Sequence, residues 1–293
     1  MYFSIFCVAF FWGTTFLGIR IAIETIPPFL VAGIRNLLSG SLILLYLFGQ
    51  SKIVLMTKTQ LLRAFVLAIM MIVLANGLTT FSEKYISSGL ASLISTLSPF
   101  CVLLLNLALG NEKLSIKTTL GIVLGMCGIF LIYQNSLTDL LNPSYQLGIF
   151  AILTAVLMWS VGTIITKKGL KKPAPMLLNV AIQMIMAGFI LLVFQFVAAP
   201  KIAPELFSAR SCLAVLYLAL FGSVVGYVAY SYLISQLPST KVSVLSYVNV
   251  VVALFLGWLV LDEVVTSKMI FATFLIICGV FIVNFKQQVK KKA

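Results

Sequence analysis

Apolar runs of about 18 to 24 residues recur along the whole chain, each long enough to cross roughly 30 Å of hydrocarbon at 1.5 Å per residue. Ten such spans can be drawn, at 2–23, 29–48, 61–81, 89–109, 117–134, 147–166, 176–197, 211–233, 242–261 and 269–285. The links between them are short, and the longest, residues 134–146, is too small to fold as a domain. With 61% of its residues hydrophobic and only 9% charged, the chain cannot present an ordinary water-exposed surface. It reads as an all-α integral membrane protein. The first span has no basic segment before it and no small-residue cleavage site after it, so it is expected to stay as the first helix.

A net charge of +13 would suggest nucleic acid in a soluble chain, but here its distribution matters more than its total. If the N-terminus is cytoplasmic, the inward-facing links and the tail hold fourteen basic residues, among them Arg63, Lys167, Lys168 and Lys241. The outward links hold five: Arg20, Lys84, Lys201, Arg210 and Lys268. The positive-inside rule therefore places both ends in the cytoplasm. The basic tail, 287–293, reads as a topology signal attracted to anionic lipid, so the expected large partner is the bilayer and not nucleic acid. All five cysteines (Cys7, Cys101, Cys127, Cys212, Cys278) fall within apolar spans, which argues for packing roles over a disulfide framework or a metal site.

The two halves of the chain are alike. "GMCGIFLIY" (125–133) matches "IICGVFIVN" (276–284), and "LALGNEKLS" (107–115) matches "WLVLDEVVT" (258–266) at the same offset. Trp12 pairs with Trp159 and Gly77 with Gly226 at nearly that offset. Each half holds five spans, and an odd number means that the second copy sits upside down in the membrane. Inverted repeats of this kind characterise secondary transporters, whose sites lie near the midplane between the repeats.

These features together resemble a known family. "FFWGTTFLGIRIAIETIPPFLVAGIRNLLSGSLILL" has Trp-Gly early in helix one, proline before helix two and arginine within helix two. "YISSGLASLISTLSPFCVLLLNLALGNEKLSIKTTLGIVLGMCGIFLI" has a small-residue fourth helix with Ser98-Pro99, then Glu112 and a Gly-rich fifth helix. The chain resembles the EamA family of the drug/metabolite transporter superfamily over almost its whole length. The resemblance implies ten transmembrane helices in two inverted five-helix repeats, 1–135 and 146–286, around a central cavity. It also implies export or exchange of a small metabolite, often an amino acid or a relative. A homodimer is left open. The second half departs from the pattern, with Asn249 where the family usually has proline and Ile182-Gln183 opposite Arg35-Asn36.

Arg35 is the one basic residue set well inside a span, away from its ends, and its charge needs compensation there. One reading has its guanidinium reaching the outer headgroups or capping helix-end carbonyls. The other has it in the cavity, binding a carboxylate through its planar fork of donors. All seven acidic residues lie at span ends or in links, and there is no histidine, so carriage driven by the substrate's own gradient is expected in place of a proton relay.

Polar side chains form stripes at helical spacing: Asn76, Thr79 or Thr80, and Glu83; Ser88, Ser92, Ser95 and Pro99; Ser239, Ser243, Ser246 and Asn249. The serines suit close helix packing. Asn76, Gln183 and Asn249 have several donors and acceptors to satisfy and are candidates to line a cavity. Trp12, Trp159 and Tyr227 could form an amphipathic wall. Pro99 is expected to kink helix four and serve as a hinge.

Without histidine, or an acid inside the spans, there is no Ser-His pair, zinc-protease motif or aspartyl dyad, so an intramembrane enzyme is not expected. No segment resembles a nucleotide-binding loop, and no cofactor is expected. The alternatives are a non-transporting receptor or assembly subunit, or a carrier of nucleosides, nucleotide sugars or lipid-linked compounds.

Overall fold

Proline, serine and threonine set the helix starts. The computed structural model describes residues 1–86, 88–113, 115–133, 143–169, 172–199, 207–261 and 267–284. The basic tail and the acidic pair Asp262-Glu263 lie outside the described residues. Helix α1 is Tyr2–Ala22, and α2, Pro28–Gly49, opens on a proline whose missing N–H costs nothing in a first turn. In α3, Lys58–Ser82, a reciprocal capping box joins Thr57 and Gln60. Two short helices follow, α4 (Ser88–Ser95) and α5 (Ser98–Ala108). Next come α6 (Ile116–Tyr133), α7 (Pro143–Lys168) and α8 (Met176–Ala198). Ser208 caps α9, Ala209–Gln236, by accepting from the Ser211 N–H. The chain closes with α10 (Ser239–Ser243), α11 (Leu245–Leu261) and α12 (Ser267–Asn284).

Every regular element among the described residues is helical. Six helices (α1, α2, α3, α7, α8 and α9) are long and apolar enough to cross a membrane, and α5, α6, α11 and α12 hold shorter apolar stretches. Large apolar side chains such as Leu45, Phe150, Phe189, Phe274 and Phe281 point outward. In water so much apolar surface would drive aggregation; in a bilayer it meets lipid.

Glycine decides how the helices cross. A Cβ added to Gly188 of α8 would lie 2.7 Å from the Leu37 amide nitrogen of α2, and one on Gly40 2.8 Å from the Ala181 carbonyl oxygen. The α6–α12 crossing is as close, with a Cβ on Gly279 falling 2.5 Å from the Gly121 carbonyl oxygen. Backbones meet where side chains are missing, which is how helices associate in lipid, where no hydrophobic force drives them together.

The structure corrects two expectations. The fourth span is broken where a kink was expected: α4 stops at Ser95, Thr96 and Leu97 turn, and α5 restarts with Pro99 in its first turn, where no N–H is needed. A similar break separates α10 from α11 at Val244 without any proline. In addition, α3 and α9 are not α-helical throughout. Each has a π-helical stretch, Ala68–Asn76 and Leu218–Val225, that ends at Gly77 and Gly226 respectively.

Candidate substrate site

A cavity of about 150 Å³ lies among α1, α2, α3, α7, α9 and the broken helices, and it has room for several waters or a small polar molecule. Trp12, Arg35, Asn76, Trp159, Tyr227 and Asn249 all line it. So do Asn36, Thr79, Ser95, Ser98, Ser223, Ser243 and Ser246.

Its aromatic wall is built around Trp12 and Trp159, which the sequence pairs by offset. Their ring centroids are 5.2 Å apart at an interplanar angle of 80°, an edge-to-face contact. Tyr230 packs against both, at 5.2 Å from Trp12 and 4.9 Å from Trp159. The Trp12 indole donates to the Gly222 carbonyl oxygen at 3.0 Å, within the π stretch of α9, and Tyr230 pairs with the Thr163 hydroxyl at 2.5 Å. Trp12→Phe keeps an aromatic ring but loses the indole N–H bond to that carbonyl, so it is expected to lower stability by about 1 kcal/mol, read as the thermal midpoint in detergent.

Arg35 is buried, only 4% exposed, and its Nε and Nη1 have no hydrogen-bond partner. A guanidinium reaching headgroups would be exposed, and one capping helix ends would have carbonyl partners at these atoms. Its donors are instead held at a cavity, and Ser39, one turn along, fixes the local packing by donating to the Arg35 and Ala219 carbonyl oxygens. Facing the same cavity, Asn76 Oδ1, Asn249 Oδ1 and the hydroxyls of Ser98, Ser223 and Ser246 are buried without partners. Unsatisfied buried polar atoms are costly, so their convergence on one cavity marks a place where water or ligand completes them.

Two assignments differ from the sequence expectations. Gln183 does not line this cavity. It lines a neighbouring one of about 480 Å³, beside Arg63, Lys167 and Asn179, and its Oε1 accepts from the Tyr227 hydroxyl at 3.1 Å. Met71, Tyr227 and Tyr230 border both cavities and form the wall between them. The second concerns Glu83. It follows the last residue of α3, yet it is fully buried, with neither carboxylate oxygen hydrogen-bonded and with Arg20 and Arg35 within electrostatic reach. Its stripe periodicity was visible in the sequence, whereas its burial was not.

Glu112 ties helix ends together. Asn106 Nδ2 donates to Glu112 Oε1 at 3.1 Å and to Ser239 Oγ at 2.8 Å, and the Thr240 hydroxyl donates to Glu112 Oε2 at 2.7 Å. This links the end of α5 to the start of α10.

Among the described residues every regular element is helical, six helices are apolar and long enough to cross a membrane, and a polar cavity lies buried among them, as in a multi-pass membrane protein. The chain belongs to the EamA-like transporter family, whose model matches residues 1–134 and 146–285. It is 27% identical over 282 residues to the uncharacterized transporter YoaV of Bacillus subtilis (strain 168), covering 96% of each chain. It is 31% identical over 255 residues to the uncharacterized inner membrane transporter YedA of Escherichia coli (strain K12), covering 87% of this chain and 80% of that one. Protein PagO of Salmonella typhimurium is 28% identical over 279 residues, 94% of this chain and 90% of that one. A solved crystal structure superposes with a TM-score of 0.78 at 17% identity, covering 97% of this chain and 96% of the other, which is a likeness of fold.

Proposed function

We propose that the chain carries a small organic carboxylate or zwitterion, an amino acid or a related metabolite, across the inner or plasma membrane by alternating access. The observation that carries this reading is the convergence of unpartnered polar atoms from Arg35, Asn76, Asn249 and three serines on a cavity walled by Trp12, Trp159 and Tyr230. Arg35 takes the carboxylate through paired N–H donors. The amides and hydroxyls bond the remaining polar groups, and the rings pack against the apolar part.

Alternating access needs two states related by exchange of the halves, and several pairings support such a design in ten helices and two inverted repeats, 1–135 and 146–286. The α–π–α pattern of α3 is repeated in α9 with glycine at the same junction. The break between α4 and α5 is repeated between α10 and α11. Partners by repeat pack on each other, α2 on α8 and α6 on α12, and Trp12 meets Trp159 at the cavity. The basic-residue asymmetry favours cytoplasmic termini, and the name of the Escherichia coli relative favours the inner membrane.

The test is a thermal-shift screen of the purified protein against amino acids, monocarboxylates and their amides, since a ligand of the folded state raises its apparent stability. Stabilisation by carboxylates and not by the matching amides is expected. An equal response to both, or to neither, sinks the proposal. A cysteine replacing Asn76 is then expected to react with impermeant thiol reagents added from either side of the membrane, whereas a receptor packed solid would leave it unlabelled.

A further inference from the structure

Glu83 is the one fully buried acidic side chain among the described residues, and the site above does not use it. Its carboxylate oxygens have no hydrogen-bond partner. The charges acting on it come from two other helices. Arg20 of α1 and, less strongly, Arg35 of α2 both act electrostatically on the carboxylate, and Arg20 also donates from Nη1 to the Glu83 carbonyl oxygen at 2.6 Å. The other packed elements add no charge. α4 has no ionisable residue; α7 has Lys167 and Lys168 only at its far end, and Tyr145 near its start packs with the Ile86 cluster. Lys84 lies over the Tyr85 ring, and Glu24 pairs with Arg210 at 3.7 Å at the surface.

Arg35 thus interacts electrostatically with Glu83 and also lines the cavity, where its Nε and Nη1 have no hydrogen-bond partner. We propose that Glu83 is a proton-binding site linked to carboxylate binding at Arg35, so that the carrier moves a carboxylate together with a proton. The inference rests on the reading of Arg35 as a carboxylate anchor. Ionised Glu83 offsets the guanidinium's charge, and in a low-dielectric site a second anion then gains less from it. A proton on Glu83 restores that attraction and strengthens carboxylate binding. By reciprocity, a bound carboxylate strengthens proton binding at Glu83 by the same factor. One monoanion plus one proton is electrically neutral, so the carried pair responds to a pH gradient and not to membrane potential.

The experiment uses purified wild-type protein with propionate as probe and propanamide as its uncharged isostere, at pH values above the propionate titration range. Propionate affinity is expected to tighten by up to about tenfold per unit fall in pH, the limit for one linked proton. Propanamide affinity and the propionate affinity of Glu83→Gln are expected not to change with pH. An equal propionate slope in Glu83→Gln overturns the proton site and leaves the anchor standing. Propionate binding no better than propanamide at any pH overturns the anchor, and the linkage with it.

Infrared spectroscopy reads the pair directly. Binding of carboxyl-labelled ¹³C-propionate to the wild type should bring up a protonated-carboxyl stretch at the unlabelled position. Without any ligand, Arg35→Gln should show the same band, and the Arg35→Gln/Glu83→Gln double variant should lose it. Absence of the band in both the propionate-bound wild type and Arg35→Gln overturns the proposal even where Glu83→Gln fails to fold.

Discussion

Arg35→Gln is expected to abolish stabilisation of the protein by carboxylates and to leave the ligand-free protein folded. Hydrogen bonds to a charged group are worth about 1.5–3 kcal/mol, so losing the guanidinium should weaken carboxylate binding by roughly ten- to a hundredfold. The cost to the empty protein is smaller, because two of its buried donors have no partner to lose and Glu83 takes up a proton once the guanidinium is gone, so no uncompensated charge is left by the change. The two effects separate in one experiment, in which the melting midpoint is measured with and without ligand for both proteins. A variant that melts near the wild type yet no longer responds to carboxylates assigns the arginine to the substrate. Equal responses would make Arg35 a structural residue.

Gly279→Val is expected to be among the most damaging single changes in the chain. The added Cβ meets the Gly121 carbonyl oxygen at 2.5 Å, the Gly125 amide nitrogen at 2.9 Å and the Gly125 Cα at 3.3 Å. All three are backbone atoms, so no side chain can swing aside and the helices themselves must separate. Overpacking by a methyl typically costs about 1–3 kcal/mol, and valine adds two further carbons, so a loss at or above the top of that range is expected. Gly279→Ala should fall inside it. Gly49 is the control: an added Cβ there meets nothing within 4 Å, and Gly49→Ala should change the thermal midpoint little. Similar midpoints for Gly279→Val and Gly49→Ala would contradict the close α6–α12 crossing.

Much of the cavity lining could be read from the sequence. Trp12 and Trp159 were paired by offset, and they meet at the cavity. Arg35, Asn76 and Asn249 were marked by the cost of polar groups in lipid, which leaves them few places to be except a cavity. Gln183 obeys the same logic but faces the next cavity, because the rotation of α8 is set by glycine contacts with α2 that no periodicity in its nearly uniform apolar sequence records. Glu83 was hidden for a different reason. At the end of a span it resembles any interfacial acid, and only the packing of α1, α2 and α7 around that end removes it from water. The π stretches left no trace either, since "AIMMIVLAN" and "LALFGSVV" are apolar on nearly every face and a change of winding alters no pattern.

That change of winding sets the angular phase of each helix. A residue turns an α-helix by about 100°, so a stretch wound more loosely than its flanks rotates everything beyond it relative to everything before. In α3 the segment beyond carries Thr79 and leads to Glu83, while the segment before anchors Arg63 against the end of α7 through the carbonyls of Ile165 and Gly169. Rewinding Ala68–Asn76 as a regular α-helix would swing the polar face of Gly77–Ser82 away from the cavity without altering a single side chain. The identity of the residues lining the cavity thus depends on a local count of residues per turn, and a one-residue deletion among interchangeable apolar positions would reach the site as surely as a substitution within it.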